Sequence, residues 1–178
     1  MTRSHLVAGI DPGLAGALFV LDPESLAGEA LDLPVHALSR SRKAKRELDL
    51  AALVALIEAR RPAHAFVEQA GSMPRQGVAS SFAFGKGFGA VLGTLAALRI
   101  PVTLVAAATW KRTLGVPAAK DGARARASQL LPDAAHLWPL RCHHGRAEAA
   151  LLALWGSRQL ALQSPAEART RAISISEA

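Results

Sequence analysis

Apolar residues form short runs near the start of this chain and longer, helix-like patterns after them. Residues 6–10 and 17–21 are apolar runs rich in strand formers, and the turn-forming dipeptide Pro12-Gly13 lies between them. These runs predict two strands that lie side by side and run in opposite directions. Residues 30–36 predict a third strand, which completes a meander with the first two.

Strands and helices alternate in the rest of the chain. Asp49 is a candidate cap for a helix that ends at residues 60–62, where two arginines precede a proline. A strand is predicted at 63–67, a long helix at 80–99 and another strand at 101–106. Further helices are predicted at 109–115, 120–131 and 146–162. This order favours an α/β fold with one mixed sheet flanked by helices.

Length and composition indicate a single domain. The chain has 178 residues and a hydrophobic content of 51%, which is enough for one core. We expect the domain to span residues 1–163 and the polar residues 164–178 to form a flexible tail. Cys142 is the only cysteine, so an intrachain disulfide is excluded. Because the sequence shows neither a signal-peptide pattern nor an apolar run of about 18 residues, we expect a cytoplasmic protein without membrane contact.

The chain is basic, with 21 Lys and Arg residues against 14 acidic ones and a net charge of +7. A compact basic domain is typical of proteins that bind a polyanion, most often nucleic acid. An Arg-rich and Ala-rich composition from a GC-rich genome is the alternative explanation for part of this excess. The densest basic run, residues 39–46, is either a solvated loop or a phosphate contact.

The predicted helix at 80–99 is unusually rich in glycine. Each glycine in a helix costs about 1 kcal/mol relative to alanine, so we expect another backbone to approach this helix closely. Another helix and a nucleic-acid backbone are both candidates. The G-x-G-x-G pattern is not a dinucleotide-binding motif, because it does not directly follow a strand. The glycines are Gly85, Gly87, Gly89 and Gly93.

Acidic residues occur in several elements that are otherwise apolar. Asp11 and Glu68 each stand at the end of a predicted strand, and Glu148 lies in an apolar helix one turn after His144. A buried carboxylate is costly unless it is paired or binds a cation. Since residues at i and i+4 project from the same side of a helix, His144 and Glu148 are predicted to share a face.

Simpler interpretations exist for each of these residues taken singly. Asp11 is suited to a turn, Glu148 to a charge in the first turn of a helix, and His144 to a cap or a surface position. Their joint occurrence favours a metal site instead. Oxygen ligands of this kind suit Mg²⁺ or Mn²⁺, and two such ions about 4 Å apart can support phosphodiester cleavage.

These residues resemble the RuvC-like family of Holliday-junction resolvases, in the RNase H-like superfamily, and its phage, bacterial and organellar branch in particular. The resemblance covers roughly residues 7–155 and implies an RNase H-like mixed five-stranded sheet flanked by helices. It is carried by residues 9–13 (GIDPG) with 16–17, residues 67–69 (VEQ), the glycines of 85–93, Trp110-Lys111 with Lys120, and residues 143–149 (HHGRAEA).

The resemblance also implies roles for individual residues. Asp11, Glu68 and Glu148 are expected to bind two Mg²⁺ ions, for which Mn²⁺ would substitute, with His144 as a further ligand or general base. Lys111 is expected to line the active site near the scissile phosphate, and so is Lys120. The expected DNA contacts are Met73, Arg75, Lys86, Lys111, Lys120 and Arg146.

The family acts as a homodimer that makes paired symmetric nicks in a four-way DNA junction. The resemblance implies the same activity here, with the glycine-rich helix as the dimer contact and a branch-migration helicase as a possible partner. Some residues differ from the family pattern. The last carboxylate is a glutamate where the bacterial enzymes usually have aspartate, and a histidine, either His143 or His144, replaces a fourth acidic ligand.

Other functions are alternatives to the resolvase. A related nuclease would act on other branched DNA or on RNA–DNA hybrids. An actin-like ATPase or sugar kinase also has an acidic residue and a glycine after its first strand, but it needs a second domain that 178 residues cannot supply. A non-catalytic DNA-binding relative is a further possibility, against which the retained carboxylates argue.

Overall fold

The structure of the protein, a computed structural model, describes residues 5–37, 46–69, 77–119 and 121–163. The strands are β1 Val7–Ile10, β2 Ala17–Leu21, β3 Gly28–Asp32, β4 Val35–Ala37, β5 Arg46–Leu48, β6 His64–Glu68 and β7 Val102–Val105. The helices are α1 Leu50–Glu58, α2 Val78–Ala97, α3 Ala107–Thr113, α4 Gly122–Leu130 and α5 His144–Gln163, with short 3-10 helices at Pro132–Leu137 and Arg141–His143.

Five of the strands form one mixed sheet in the order β3-β2-β1-β6-β7. β1 is antiparallel to β2 and β2 to β3, whereas β1–β6 and β6–β7 are parallel pairs. This confirms the predicted fold class. Ile10 lies opposite Val67, so Asp11 and Glu68 follow these two residues at the same edge of the sheet.

Helices cover both faces of the sheet because successive strand residues point to opposite sides. Phe19 and Phe66 contribute to a core beneath α5, which packs across β1 and β2. Leu18 and Val20 contribute to a second core, which α1 and α2 cover with apolar side chains. A Cβ on Gly9 would overlap the backbone of α5, so this glycine allows the close approach of α5 to β1.

The predicted third strand at 30–36 is wrong in one respect, because it is two strands. β3 ends at Asp32, and β4 begins at Val35 and pairs with β5 in a separate two-stranded sheet. Pro34 lies between them and has no N–H to donate to a continuous ladder. Its carbonyl instead accepts from Asp49 N at 2.9 Å, which ties this corner to the start of α1.

Most predicted helices are observed, with small shifts at their ends. Asp49 caps α1 as expected, because its Oδ1 accepts from Ala52 N at 3.0 Å. α5 begins at His144, two residues earlier than predicted, so the candidate histidine belongs to the helix. Within the described residues, no helix is both long and apolar enough to cross a membrane. Most of the basic run at 39–46 and the predicted tail at 164–178 lie outside the described residues, so their assignments stay predictions.

Candidate active site

Asp11 lies in the turn between β1 and β2, directly against the start of α5. Gly13 N donates to Asp11 Oδ1 at 3.2 Å, and Asp11 N donates to Ala17 O at 3.0 Å, so the turn holds both the backbone and the side chain. A Cβ placed on Gly145 would lie 3.1 Å from Asp11 Oδ2 and closer still to the carbonyl of Ala15. Only a glycine in the first turn of α5 therefore lets the helix approach this carboxylate.

Glu68 ends β6 and receives a hydrogen bond from a buried tryptophan. Trp110 Nε1 donates to Glu68 Oε2 at 3.1 Å, and the Trp110 side chain is fully buried in the core beneath α5. Because the indole cannot move without disturbing that core, it fixes the direction of the Glu68 carboxylate. The sequence analysis did not predict this contact, and no local pattern indicates it, since the partners are 42 residues apart.

Glu148 and Lys111 form an ion pair beside these carboxylates. Lys111 Nζ lies 2.7 Å from Glu148 Oε1, and both side chains are partly shielded from water. The ammonium also lies 5.0 Å from the centroid of the Trp110 ring, within the range of a cation–π contact. One lysine therefore places positive charge next to the acidic residues of both α5 and β6.

The acidic residues influence one another electrostatically. Burial raises the pKa of Asp11, and the charge of Glu148 raises it further, against a hydrogen bond from Gly13 N. Burial likewise raises the pKa of Glu68, with the charges of Glu148 and Asp11 in the same direction. Mutual repulsion of this kind is typical of carboxylates that share one site.

The same group of residues stabilises the charged form of Lys111, whereas it destabilises the charged forms of Asp11 and Glu68. Burial lowers the pKa of Lys111, but the hydrogen bond to Glu148 and the negative charges around it outweigh burial, so the pKa is raised overall. The ammonium form is therefore stabilised by the acidic residues, just as it partly neutralises them.

The two histidines before Glu148 face different acidic residues. His144 is the first residue of α5, and its charge acts on Asp11, where it lowers the pKa. His143 precedes the helix, and its charge acts on Asp32 at the end of β3. The sequence analysis left both histidines open, and the interaction with Asp11 favours His144 as the candidate.

Comparisons with solved structures find proteins with a similar fold. Thermus thermophilus RuvC in complex with a Holliday junction substrate matches with a TM-score of 0.62 at 21% identity, over 89% of this chain and 96% of that one. A second Thermus thermophilus RuvC structure matches with a TM-score of 0.54 at 21% identity, over 86% and 96%. This chain has the RuvC-like fold.

A third RuvC-like match comes from a eukaryote. The yeast mitochondrial Holliday junction resolvase Ydc2 matches with a TM-score of 0.51 at 13% identity, over 89% of this chain and 81% of that one. No family model and no curated protein matches the sequence. The resemblance proposed from the sequence motifs is thus confirmed at the level of the RuvC-like fold, which covers most of the chain.

The side chains that meet in this RuvC-like fold suit a divalent cation chemically. In the part of the chain that the structure describes, no three His, Cys, Asp or Glu side chains are already close enough to form a ready-made metal site. The candidate metal ligands are nevertheless mostly carboxylate oxygens that repel one another. The Lys111 ammonium already pairs with one of these carboxylates, that of Glu148. Hard oxygen donors with excess negative charge are those that Mg²⁺ and Mn²⁺ prefer.

Other predicted residues of the RuvC-like domain pair with acidic residues outside this group. Lys86 on α2 donates to Glu47 Oε2 on β5, and Arg146 on α5 forms an ion pair with Asp32. Their expected DNA contacts stay predictions. Met73, Arg75 and Lys120 lie outside the described residues.

Proposed function

We propose that this protein is a metal-dependent endodeoxyribonuclease that resolves four-way DNA junctions. The proposal is supported by the neighbouring ends of β1 and β6 in a RuvC-like sheet, which Asp11 and Glu68 occupy, and by the electrostatic interactions of Glu148 with both and of His144 with Asp11. The net charge of +7 suits a DNA partner. One structure with this fold was determined in complex with a Holliday junction substrate, which supports the choice of DNA.

We propose that the acidic residues hold two Mg²⁺ ions, for which Mn²⁺ would substitute. Asp11, Glu68 and Glu148 are the ligands in this proposal, and His144 is a further ligand or a general base. When bound, divalent ions supply an activated water and stabilise the leaving oxygen in phosphodiester hydrolysis. The protein's own part is to hold the carboxylates in fixed directions, through Gly13 N at Asp11 and Trp110 Nε1 at Glu68.

We propose that Lys111 also contacts the DNA. Its ammonium is partly exposed while it contacts Glu148, so it can reach solvent and a bound polyanion without leaving the site. There it would contact the scissile phosphate and stabilise negative charge that develops during cleavage. Lys120, Met73, Arg75 and Lys86 complete the proposed DNA contacts, of which Lys86 must first give up its ion pair with Glu47.

We further propose a homodimer in which two copies of α2 pack against each other in opposite directions. The exposed stripe of α2 is symmetric about Gly89, because Gly85 and Gly93 lie four residues on either side of it, and Phe82 and Ala96 seven. Among the residues that the structure describes, a Cβ on Gly85, Gly89 or Gly93 would meet nothing within 4 Å. Packing within one chain therefore does not require these glycines, whereas a second backbone would.

In this antiparallel arrangement the exposed side chain of Phe82 would contact the partner subunit. Phe82 is 74% exposed, and it would lie against the small side chain of the partner subunit's Ala96. Two copies related by a two-fold axis would then present two active sites to one junction, as paired nicks require.

The proposed function is tested with a synthetic immobile four-way junction in Mg²⁺, alongside a linear duplex and an RNA–DNA hybrid. We expect paired symmetric nicks on the junction only. Asp11→Asn should bind the junction but not nick it, because the substitution removes the charge of one ligand and little volume. Normal cleavage by Asp11→Asn would show that the site is elsewhere.

Other outcomes of this experiment point to other functions. Cleavage of the hybrid or the duplex would support the proposed active site but would show that the substrate is not a four-way junction. Tight junction binding without cleavage of any substrate would favour a non-catalytic DNA-binding protein.

A further inference from the structure

The first turn of α5 is tied to two other elements by one arginine. Arg146 Nε donates to Asp32 Oδ1 at 2.7 Å and its Nη2 donates to Asp32 Oδ2 at 2.6 Å, while Nη1 donates to Leu137 O at 3.1 Å. The arginine therefore connects the helix to the end of β3 and to the 3-10 helix Pro132–Leu137. Asp32 and Arg146 are 114 residues apart in sequence.

The geometry of this contact fixes the orientation of the Arg146 guanidinium group as well as its distance from Asp32. A guanidinium that binds both oxygens of a carboxylate is held in one plane, which a lysine ammonium is not. The third hydrogen bond, to Leu137 O, opposes rotation of the guanidinium about the ion pair. These three contacts together oppose rotation of the start of α5 about its own axis.

Arg146 is well placed to control the candidate ligands without touching them. It lies two residues after His144 and two before Glu148, and residues two apart point to different sides of a helix. The ion pair thus holds the helix from the side opposite to the active site. Gly145, the residue before Arg146, has almost no space against Asp11, so a small rotation of α5 would change how Glu148 meets Asp11.

We propose that Arg146 is a positioning residue, whose ion pair with Asp32 sets the orientation of His144 and Glu148 toward Asp11. This inference rests on the proposed metal-dependent function. It differs from the DNA contact that the sequence analysis expected of Arg146, and the two roles give different experimental results.

The chain offers a matched control at the opposite end of β3. Arg60 Nε and Nη2 donate to the two carboxylate oxygens of Glu29 at 2.9 and 2.7 Å, and its Nη1 donates to Leu56 O at 3.1 Å. The arginine side chain is 25% exposed in both pairs, and the partners Glu29 and Asp32 are 53% and 61% exposed. This pair has the same chemistry but contacts no part of the candidate site.

The experiment compares Arg146→Met, Asp32→Asn and Arg60→Met in the full chain. For each variant we would measure unfolding by denaturant, Mn²⁺ binding by calorimetry, and the salt dependence of junction binding in EDTA. We expect Arg146→Met and Asp32→Asn each to weaken Mn²⁺ binding by about tenfold or more, the effect of losing a group that orients a metal ligand. Arg60→Met should bind Mn²⁺ like the wild type, even if it loses as much stability as Arg146→Met does.

Asp32→Asn separates positioning from DNA contact, because it leaves the charge of Arg146 in place. If Arg146 binds a phosphate, Arg146→Met should reduce the salt slope of junction binding by about one, and Asp32→Asn should leave Mn²⁺ binding unchanged. That result would overturn the inference, and so would wild-type Mn²⁺ affinity in Arg146→Met. If Arg146→Met does not fold, the Mn²⁺ affinity of Asp32→Asn decides.

Failure of the proposed function gives a different result from failure of this inference. A wild-type protein that neither binds Mn²⁺ nor nicks any DNA would refute the proposed function, and the inference with it. A wild-type protein that does both, while Arg146→Met and Arg60→Met behave alike, would refute the inference alone.

Discussion

Replacement of Trp110 by phenylalanine tests whether a buried side chain controls a candidate metal ligand. The substitution keeps an aromatic ring in the core but removes the indole N–H that donates to Glu68 Oε2. Hydrogen bonds to charged groups contribute about 1.5–3 kcal/mol, and partial exposure of Glu68 brings the expected loss to about 1 kcal/mol. This loss adds to the cost of the smaller ring in the core.

The loss should depend on pH in a defined direction. Burial raises the pKa of Glu68 and the Trp110 hydrogen bond opposes the rise, so Trp110→Phe should raise this pKa further. A carboxyl group whose folded pKa is above its unfolded value contributes stability at low pH that is lost as the pH rises through the folded value. The stability difference between wild type and Trp110→Phe should therefore be smaller where Glu68 is protonated and grow as Glu68 ionises.

Trp138→Phe is the matched control for this experiment. Trp138 is also buried, and its Nε1 donates to the neutral hydroxyl of Ser128 at 2.9 Å. Its replacement removes a similar volume and one hydrogen bond, but the stability loss should not follow the titration of Glu68. Denaturant unfolding over a pH series measures both variants without metal.

Mn²⁺ binding provides a second measurement on the same variants. Loss of the group that orients Glu68 should weaken binding about tenfold, at the lower end of what such groups contribute. Trp138→Phe should not change it. If Trp110→Phe loses stability equally at every pH and binds Mn²⁺ like the wild type, Trp110 only packs the core and the reasoning is refuted.

Two further predictions concern DNA binding and assembly. Lys111→Ala should slow junction cleavage and reduce the salt slope of binding by about one, since one phosphate contact is lost; an unchanged slope would place Lys111 off the DNA path. Gly89→Leu should convert the dimer to a monomer in sedimentation experiments while leaving the helix folded, because leucine favours a helix but blocks close approach. An intact Gly89→Leu dimer would place the contact elsewhere.

The edge of the sheet that carries the site could be predicted from sequence, because each clue is local. Asp11 and Glu68 each stand at the end of an apolar run, and parallel pairing of β1 with β6 brings such ends together. The spacing of His144 and Glu148 needs only the geometry of a helix. These are the residues that the sequence analysis selected, and their roles stay predictions.

The contacts that support these residues could not be predicted in the same way. Trp110 and Glu68 are 42 residues apart, and Arg146 and Asp32 are 114 apart, so neither pair leaves a periodic pattern. The family resemblance implies a DNA contact for Arg146, which stays a prediction, and it gives no sign of the partner Asp32. Pro34 is different, since a proline inside a predicted strand is a local signal against that strand.

The acidic residues and Lys111 together suggest why this edge of the sheet favours a cation. Folding buries Asp11 and Glu68 next to Glu148, which raises the pKa of both and destabilises their ionised forms. Lys111 offsets part of this cost, but a single ammonium that donates to Glu148 cannot neutralise three carboxylates. A divalent cation bound among them would neutralise more charge, so its binding should stabilise the fold most where Asp11 and Glu68 are ionised. The folded chain thus carries a candidate site in which a strand-end turn, a strand and a helix hold excess negative charge.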